Sequence, residues 1–215
     1  MHEVEPMNKR SVRERPAKSR IMAAAAELFY ARGISATGID AITARAGVAK
    51  KSLYNNFASK DELVLEYLRE RHQEWLDLYA ARAQSAQFTV AKYPDTKTPD
   101  AEALVLAVFD AYIDHADSAY IHGFRGCGLL NAAAELPAGS PGRDAVRIHK
   151  EEVESLLRAA LAESLEAATA APLAEQLSFL LEGAVARAGL EGSSERLRHA
   201  REAAGAIVRA AQAAA

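Results

Sequence analysis

The segment Gly33-Ile34-Ser35-Ala36-Thr37-Gly38-Ile39-Asp40-Ala41-Ile42-Thr43-Ala44-Arg45-Ala46-Gly47-Val48-Ala49-Lys50-Lys51-Ser52-Leu53-Tyr54-Asn55-Asn56-Phe57 decides how the N-terminal part of the chain folds. Thr37-Gly38-Ile39-Asp40 has capping-box form, with Thr37 as the cap and Asp40 reaching back, and it predicts a short helix through Ala46. Gly47 ends that helix and permits a tight turn. A second short helix follows Val48 and carries Lys50 to Phe57. Ile39 and Ile42 pack the first helix, Val48 plugs the turn, and Leu53 and Phe57, four residues apart, anchor the second. This is the form a helix-turn-helix requires. Lys50, Lys51, Ser52, Tyr54, Asn55 and Asn56 then face outward, a surface of the second helix with no acid of its own. Amide side chains can bond adenine bidentately and lysine can reach guanine. Tyr54, Lys60 and Thr37 are expected to clamp phosphates, setting register rather than reading sequence, and Thr43 and Arg45 join them as expected DNA contacts.

Working outward, apolar residues recur at helical spacing and sustained period-two alternation is missing, so the fold class is all-α with about nine helices. A first helix runs from about Ala17 to Gly33, and Ser59-Lys60-Asp61-Glu62 is a second capping box that opens a long helix to about Ala86. Residues 87–99 read as a loop, with Thr98-Pro99 starting the next helix. Gly123 to Gly128 breaks the pattern, a short helix covers Leu129 to Leu136, and a longer one follows Pro141. Two helices close the chain, from Pro172 to Ala188 and from Ser194 to about Ala211. The chain therefore divides into a basic flexible arm (1–16), a helix-turn-helix domain (17–60) and a larger helical domain (61–215).

The net charge of −3 hides a split: residues 1–60 hold 11 Lys/Arg against 5 Asp/Glu, and residues 61–215 hold 15 against 24. A basic N-terminal quarter suits phosphate contact by counterion release, and the acidic remainder keeps the rest of the molecule off DNA. A solvated tail would give the same split, and the arm Lys9 to Lys18 reads equally as a minor-groove contact or as such a tail. One cysteine, Cys127, excludes an intramolecular disulfide and any multi-cysteine zinc site. Charge interrupts every apolar stretch before the roughly 18 residues of a membrane span, so a soluble, cytoplasmic protein is expected. No nucleophile elbow, phosphate loop, paired-His motif or glycine fingerprint is present, which argues against an enzyme and against a cofactor. His115, His122 and His149, with Asp114 or Glu135, lack metal-ligand spacing, so no metal is expected.

The run from Gly33 to Leu63, with Gly47-Val48, Leu53-Tyr54, Phe57 and Ser59-Lys60 at fixed offsets, resembles the TetR family of one-component regulators, departing from its pattern at Gly38, Ala49 and Lys51. Phe124 to Pro137 also looks like a version found in one branch of the family's C-terminal domains. The resemblance implies three DNA-binding helices, about six helices of a ligand domain, and a homodimer reading a pseudo-palindromic operator in double-stranded DNA. It also implies a four-helix interface made by the last two helices, carrying Leu177, Leu181, Gly183, Ala184, Ala188, Leu197, Ala204 and Ile207. A small, largely apolar effector would release a repressor from its operator; repression without a ligand, or by oxidation of Cys127, stands beside this reading. Trp75, Tyr79, Phe109, Tyr112 and Phe179 lie on apolar helix faces, where they could line an effector pocket or form plain core. Cys127, Asn131 and Glu135 are further effector candidates, with a buried thiol and helix-end hydrogen bonds as the competing roles.

Overall fold

Nine helices and no strand make up the described residues, 16–92, 101–118 and 123–215 of a computed structural model, with side chains from 87 to 92 left aside. They are α1 (Ala17–Arg32), α2 (Ile39–Ala46), α3 (Lys50–Tyr54), α4 (Lys60–Lys92), α5 (Ala101–Asp117), α6 (Gly128–Glu135), α7 (Pro141–Ala162), α8 (Ala167–Glu191) and α9 (Glu195–Ala214). The arm up to residue 15, the Thr98-Pro99 helix start and His122 lie outside the described residues.

The head is built from α1, α2, α3 and the start of α4. Its turns follow the glycines: α1 ends at Gly33 (φ 89°), and α2 ends at Gly47 in the left-handed region (φ 63°, ψ 42°), whose N–H returns to the helix. Thr37 does not cap α2. Gly38 takes that place, and the buried Thr37 hydroxyl donates back to the carbonyls of Gly33 (2.7 Å) and Leu28 (3.3 Å), so this side chain ties the turn to α1. Ser59 behaves as expected: its Oγ accepts the Glu62 N–H at 3.1 Å, while the Glu62 carboxylate accepts the Ala58 N–H at 2.6 Å.

Two helices are longer than their apolar pattern. α4 continues past Ala86 to Lys92, because loss of an apolar face does not break a helix when no glycine or proline intervenes. α8 starts at Ala167, so Pro172 sits in its second turn on an exposed position; the strong helix former alanine dominates the stretch before it. In the body, α5 packs against α4, α7 and α9, and α8 packs against α7 and α9. Val105, Val108 and Phe109 of α5 are fully buried at this centre. No described helix is long and apolar enough to cross a membrane.

Candidate nucleic-acid interface

α3 is fixed by one face and open on the other. Leu53 and Phe57 are 0% and 2% exposed, and the Phe57 N–H bonds the Leu53 carbonyl at 2.9 Å although the helix proper stops at Tyr54. Arg20 of α1 adds a support that the sequence pattern did not signal, donating to the carbonyls of Ala46 (3.4 Å) and Gly47 (3.3 Å) at the turn between α2 and α3. Lys50, Lys51, Tyr54, Asn55 and Asn56 are exposed, and Ser52 is half-buried. An acid from the neighbouring helix does enter this surface: Asp40 accepts Lys50 Nζ at 2.9 Å. Asn56 Nδ2 donates to the Ser52 carbonyl at 2.7 Å. Arg45 is held bidentately by Glu27. Ion pairs this exposed contribute little to stability, so Lys50 and Arg45 can exchange their partners for phosphate or base oxygens.

Three expected DNA contacts face elsewhere. Thr37 and Thr43 are buried, the Thr43 hydroxyl donating to the carbonyls of Ile39 (3.0 Å) and Asp40 (3.1 Å) within its own helix. Lys60 reaches inward and donates to the Ile34 carbonyl at 2.6 Å, binding the start of α4 to the turn after α1. All three hold the head together, since each polar group spends its hydrogen bond on a nearby backbone carbonyl.

The same turn is gripped from the body. Arg125, just before α6, donates from its guanidinium to the carbonyls of Tyr30 and Ala31 at the C-terminal end of α1, where a helix favours a cation. Its backbone N–H donates to the Tyr30 hydroxyl at 2.6 Å. At the other end of α6 the Glu135 carboxylate accepts the N–H groups of Ile34 (3.0 Å) and Ser35 (2.7 Å). Burial alone would raise the pKa of Glu135, but these two N–H groups hold it below the usual carboxylate range. Behind this clamp, Gly189 of α8 lies so close to the loop that a Cβ there would stand 2.5 Å from the Gly126 nitrogen. Contacts thus run from α8 through residues 125–126 to the end of α1.

The effector candidates separate into two places and an outlier. Trp75 and Tyr79 of α4 stack at 5.8 Å, and Trp75 lies 5.2 Å from Tyr112 of α5 and edge-on to His149 of α7 at 5.4 Å. Phe109 is fully buried on α5. Cys127, Asn131 and Glu135 instead border a cleft of about 520 Å³ between α1, α6 and α8, shared with Tyr30, Arg32 and Leu190. Asn131 there donates to the Arg125 carbonyl at 2.9 Å, and Cys127 is 7% exposed. These findings assign Asn131 and Glu135 to the clamp, where each already has its backbone partner. Phe179 is 65% exposed on the outside of α8, away from both places.

Lys150 and Glu182, absent from the sequence expectations, join the Trp75 cluster. Lys150 Nζ bonds Glu182 Oε1 at 2.6 Å and donates to the Tyr112 hydroxyl at 3.1 Å. The signal was available: Lys150 lies among Val146, His149, Val153 and Leu157, on the inward face of α7. Burial by itself would lower the Lys150 pKa, yet Tyr112 and Glu182 outweigh it and raise it. Among the described residues no group of three or more His, Cys, Asp or Glu could hold a metal ion.

Residues 21–67 match the bacterial regulatory proteins of the tetR family, and residues 101–204 match the tetracyclin repressor-like C-terminal domain. SCO4454, a TetR-family transcriptional regulator of Streptomyces coelicolor, is 28% identical, with 91% of this chain and 96% of that chain covered at a TM-score of 0.76. The TetR transcriptional regulator sav143 of Streptomyces avermitilis is also 28% identical, with coverage of 92% and 98% and a TM-score of 0.68. The HTH-type transcriptional activator FasR of Mycolicibacterium smegmatis is 36% identical over 103 residues, a match spanning 48% of this chain but only 43% of that protein. With both parts of the chain matched and an anchored helix-turn-helix presenting its polar face, this protein belongs to the TetR family of DNA-binding transcription regulators, which are not enzymes.

Proposed function

We propose that the protein is a cytoplasmic, homodimeric repressor that reads a pseudo-palindromic operator and leaves it when a small, largely apolar molecule binds the body. The observation that carries the reading is the division of α3, with Leu53 and Phe57 buried and Lys50, Lys51, Tyr54, Asn55 and Asn56 exposed. Lys50, Lys51, Ser52, Asn55 and Asn56 are assigned to base edges, and Tyr54 and Arg45 to phosphates. Two heads about 34–36 Å apart, or a longer helical multiple, would meet successive major grooves. The 36% identity to an activator supports a second reading, in which the same head activates transcription.

The interface assigned to the dimer differs from the one expected from the sequence. Leu177, Leu181, Ala184, Ala188, Leu197 and Ala204 are buried inside one protomer, packing the last two helices onto the body. The outward stripe is Phe179, Gly183, Ala186 and Leu190 on α8 with Ala203, Ile207 and Ala210 on α9. Large apolar side chains alternate there with small residues that permit close helix approach, and Leu190 is 84% exposed. Combining Phe179→Asp with Leu190→Asp should halve the mass of the 23.1 kDa chain's assembly in light scattering and abolish cooperative operator binding. An unchanged mass would remove this interface.

Gel-shift binding to the DNA flanking the gene tests the DNA reading, and equal affinity for nonspecific competitor at moderate salt would sink it. Asn55→Ala and Lys50→Ala should each weaken operator binding by about 1–3 kcal/mol and relax preference at one base position. Arg45→Ala should weaken all sequences alike and reduce the salt dependence. The effector is assigned a differential affinity for one head spacing, the contacts from α8 through Arg125 and Glu135 to α1 being the route of coupling.

A further inference from the structure

Two neighbouring lysines at the start of α3 stand in different electrostatic settings. Lys50 Nζ lies 2.9 Å from Asp40 Oδ1, a carboxylate that belongs to α2. Lys51 is exposed and has no ion pair among the described residues. The Asp40 side chain is 84% exposed, so this acid shares the open surface of the reading helix. It caps nothing: Gly38 is the N-cap of α2, and no side chain bonds there. Its hydrogen bond to Lys50, and then its charge, raise the Lys50 pKa, and Tyr54, one turn along α3, acts in the same direction. Lys50 therefore meets DNA as a cation whose charge is already balanced by a fixed neighbour, whereas the charge of Lys51 is open.

We propose that Asp40 is a positioning residue that sets DNA specificity, holding Lys50 for a base edge and withholding it from phosphates. The proposal rests on the assignment of Lys50 to a base edge. An ammonium carries three N–H donors, so one given to Asp40 leaves two for the O6 and N7 acceptors of a guanine. Lys50 can thus read a base without leaving its partner. A phosphate contact is different, because it is rewarded by the counterions it releases. The intact pair has no net charge and releases none. Brought to the backbone, it would also set the Asp40 carboxylate beside the phosphates, where like charges repel. Breaking so exposed a pair costs little, which limits the effect to a few-fold. Nonspecific binding consists of phosphate contacts and loses the contribution of Lys50, while operator binding keeps it. Asp40 raises the ratio of the two affinities without touching a base.

Asp40→Asn removes the charge at nearly constant shape. Binding of the full chain is read by fluorescence anisotropy over a range of salt concentrations on two labelled duplexes, one selected by the parent chain from a randomised library and the same duplex with its base pairs shuffled. Affinity for the shuffled duplex should rise by up to about fivefold, the worth of an exposed ion pair, and its salt slope should steepen by about one phosphate contact. Affinity for the selected duplex should rise by less than about twofold, since Lys50 loses its aim as it gains free charge, so discrimination falls by about threefold. Asp40→Glu, which keeps the charge, should return the salt slope to that of the parent. In Lys50→Ala the Asp40→Asn change should leave the ratio of the two affinities unaltered, while in Lys51→Ala it should lower the ratio as in the parent. Equal gains on both duplexes would reduce Asp40 to general repulsion and overturn the positioning role. A ratio change that persists in Lys50→Ala overturns the partnership of the two residues, and no change on either duplex overturns the proposal outright. If Lys50→Ala alone weakens both duplexes alike, the base assignment beneath the proposal fails, a result separate from those that Asp40→Asn reports.

Discussion

Gly189→Ala is expected to lower the melting temperature by about 5–10 °C, the shift that about 2–3 kcal/mol produces in a chain of this length. The sign is opposite to that of most helical positions, where replacing glycine with alanine gains up to about 1 kcal/mol of helix propensity. Here the new Cβ would stand 2.5 Å from the nitrogen of Gly126, 2.6 Å from its Cα and 2.7 Å from the Arg125 carbonyl carbon. All three are backbone atoms, so no rotamer change relieves the contact, and α8 and the loop must part. Moving the loop displaces Arg125, which holds the carbonyls of Tyr30 and Ala31 at the end of α1. Operator affinity should therefore fall together with stability, by about tenfold for a bond network worth about 1.4 kcal/mol. Calorimetry and a gel shift on the same preparation check both. A melting temperature at or above that of the parent would show that the helix and the loop do not share this contact.

Acid is expected to weaken the fold well above the pH at which carboxylates protonate. His149 is 1% exposed, with Nδ1 2.9 Å from His72 Nδ1 and Nε2 3.4 Å from the Tyr112 hydroxyl. Its burial, and then the charge of Lys150, lower its pKa from 6.5 to about 3. A histidine depressed in the folded state takes its proton more readily in the unfolded chain. Stability is thus retained above pH 6.5, falls as pH drops below it, and stops falling only near the folded value of about 3. At about 1.36 kcal/mol per pH unit, His149 alone should cost about 2 kcal/mol between pH 7 and pH 5. His115, depressed to about 4 by burial and by Arg71 and Lys150, adds to this by less than the same amount, since the two rings act on each other. Urea midpoints at the two pH values measure the loss, and His149→Gln should reduce it substantially. A midpoint that does not move, with an unchanged denaturant slope, would contradict the burial of both rings in a low-dielectric interior.

How far the site could be read in advance depended on the range of the interaction concerned. The turn at Gly47, the anchors Leu53 and Phe57 and the capping by Ser59 were all legible, because each rests on residues within four positions of one another. Thr37 departs from this rule. Its spacing to Asp40 fits a capping box, but two carbonyls supplied by α1 and its end captured the hydroxyl. Lys60 looks like a surface cation until the chain folds the Ile34 carbonyl against it. Phe179 and Leu177 share one helix and differ by two positions, yet one is 65% exposed and the other fully buried. Which side of α8 meets the body depends on α7 and α9, and periodicity alone gives an apolar stripe without naming its partner.

The sequence by itself determined the helical class and the helix-turn-helix, since these follow from local capping, turn chemistry and apolar spacing, and the run from Gly33 to Leu63 carried the resemblance to the family. Only the tertiary structure decided that Arg125 and Glu135 clamp the head, that Gly189 presses on the loop behind them, and that Lys150 of α7 meets Glu182 of α8. These contacts join residues from 32 to 101 positions apart in the chain, and such pairings are set by how helices pack rather than by any pattern along one of them.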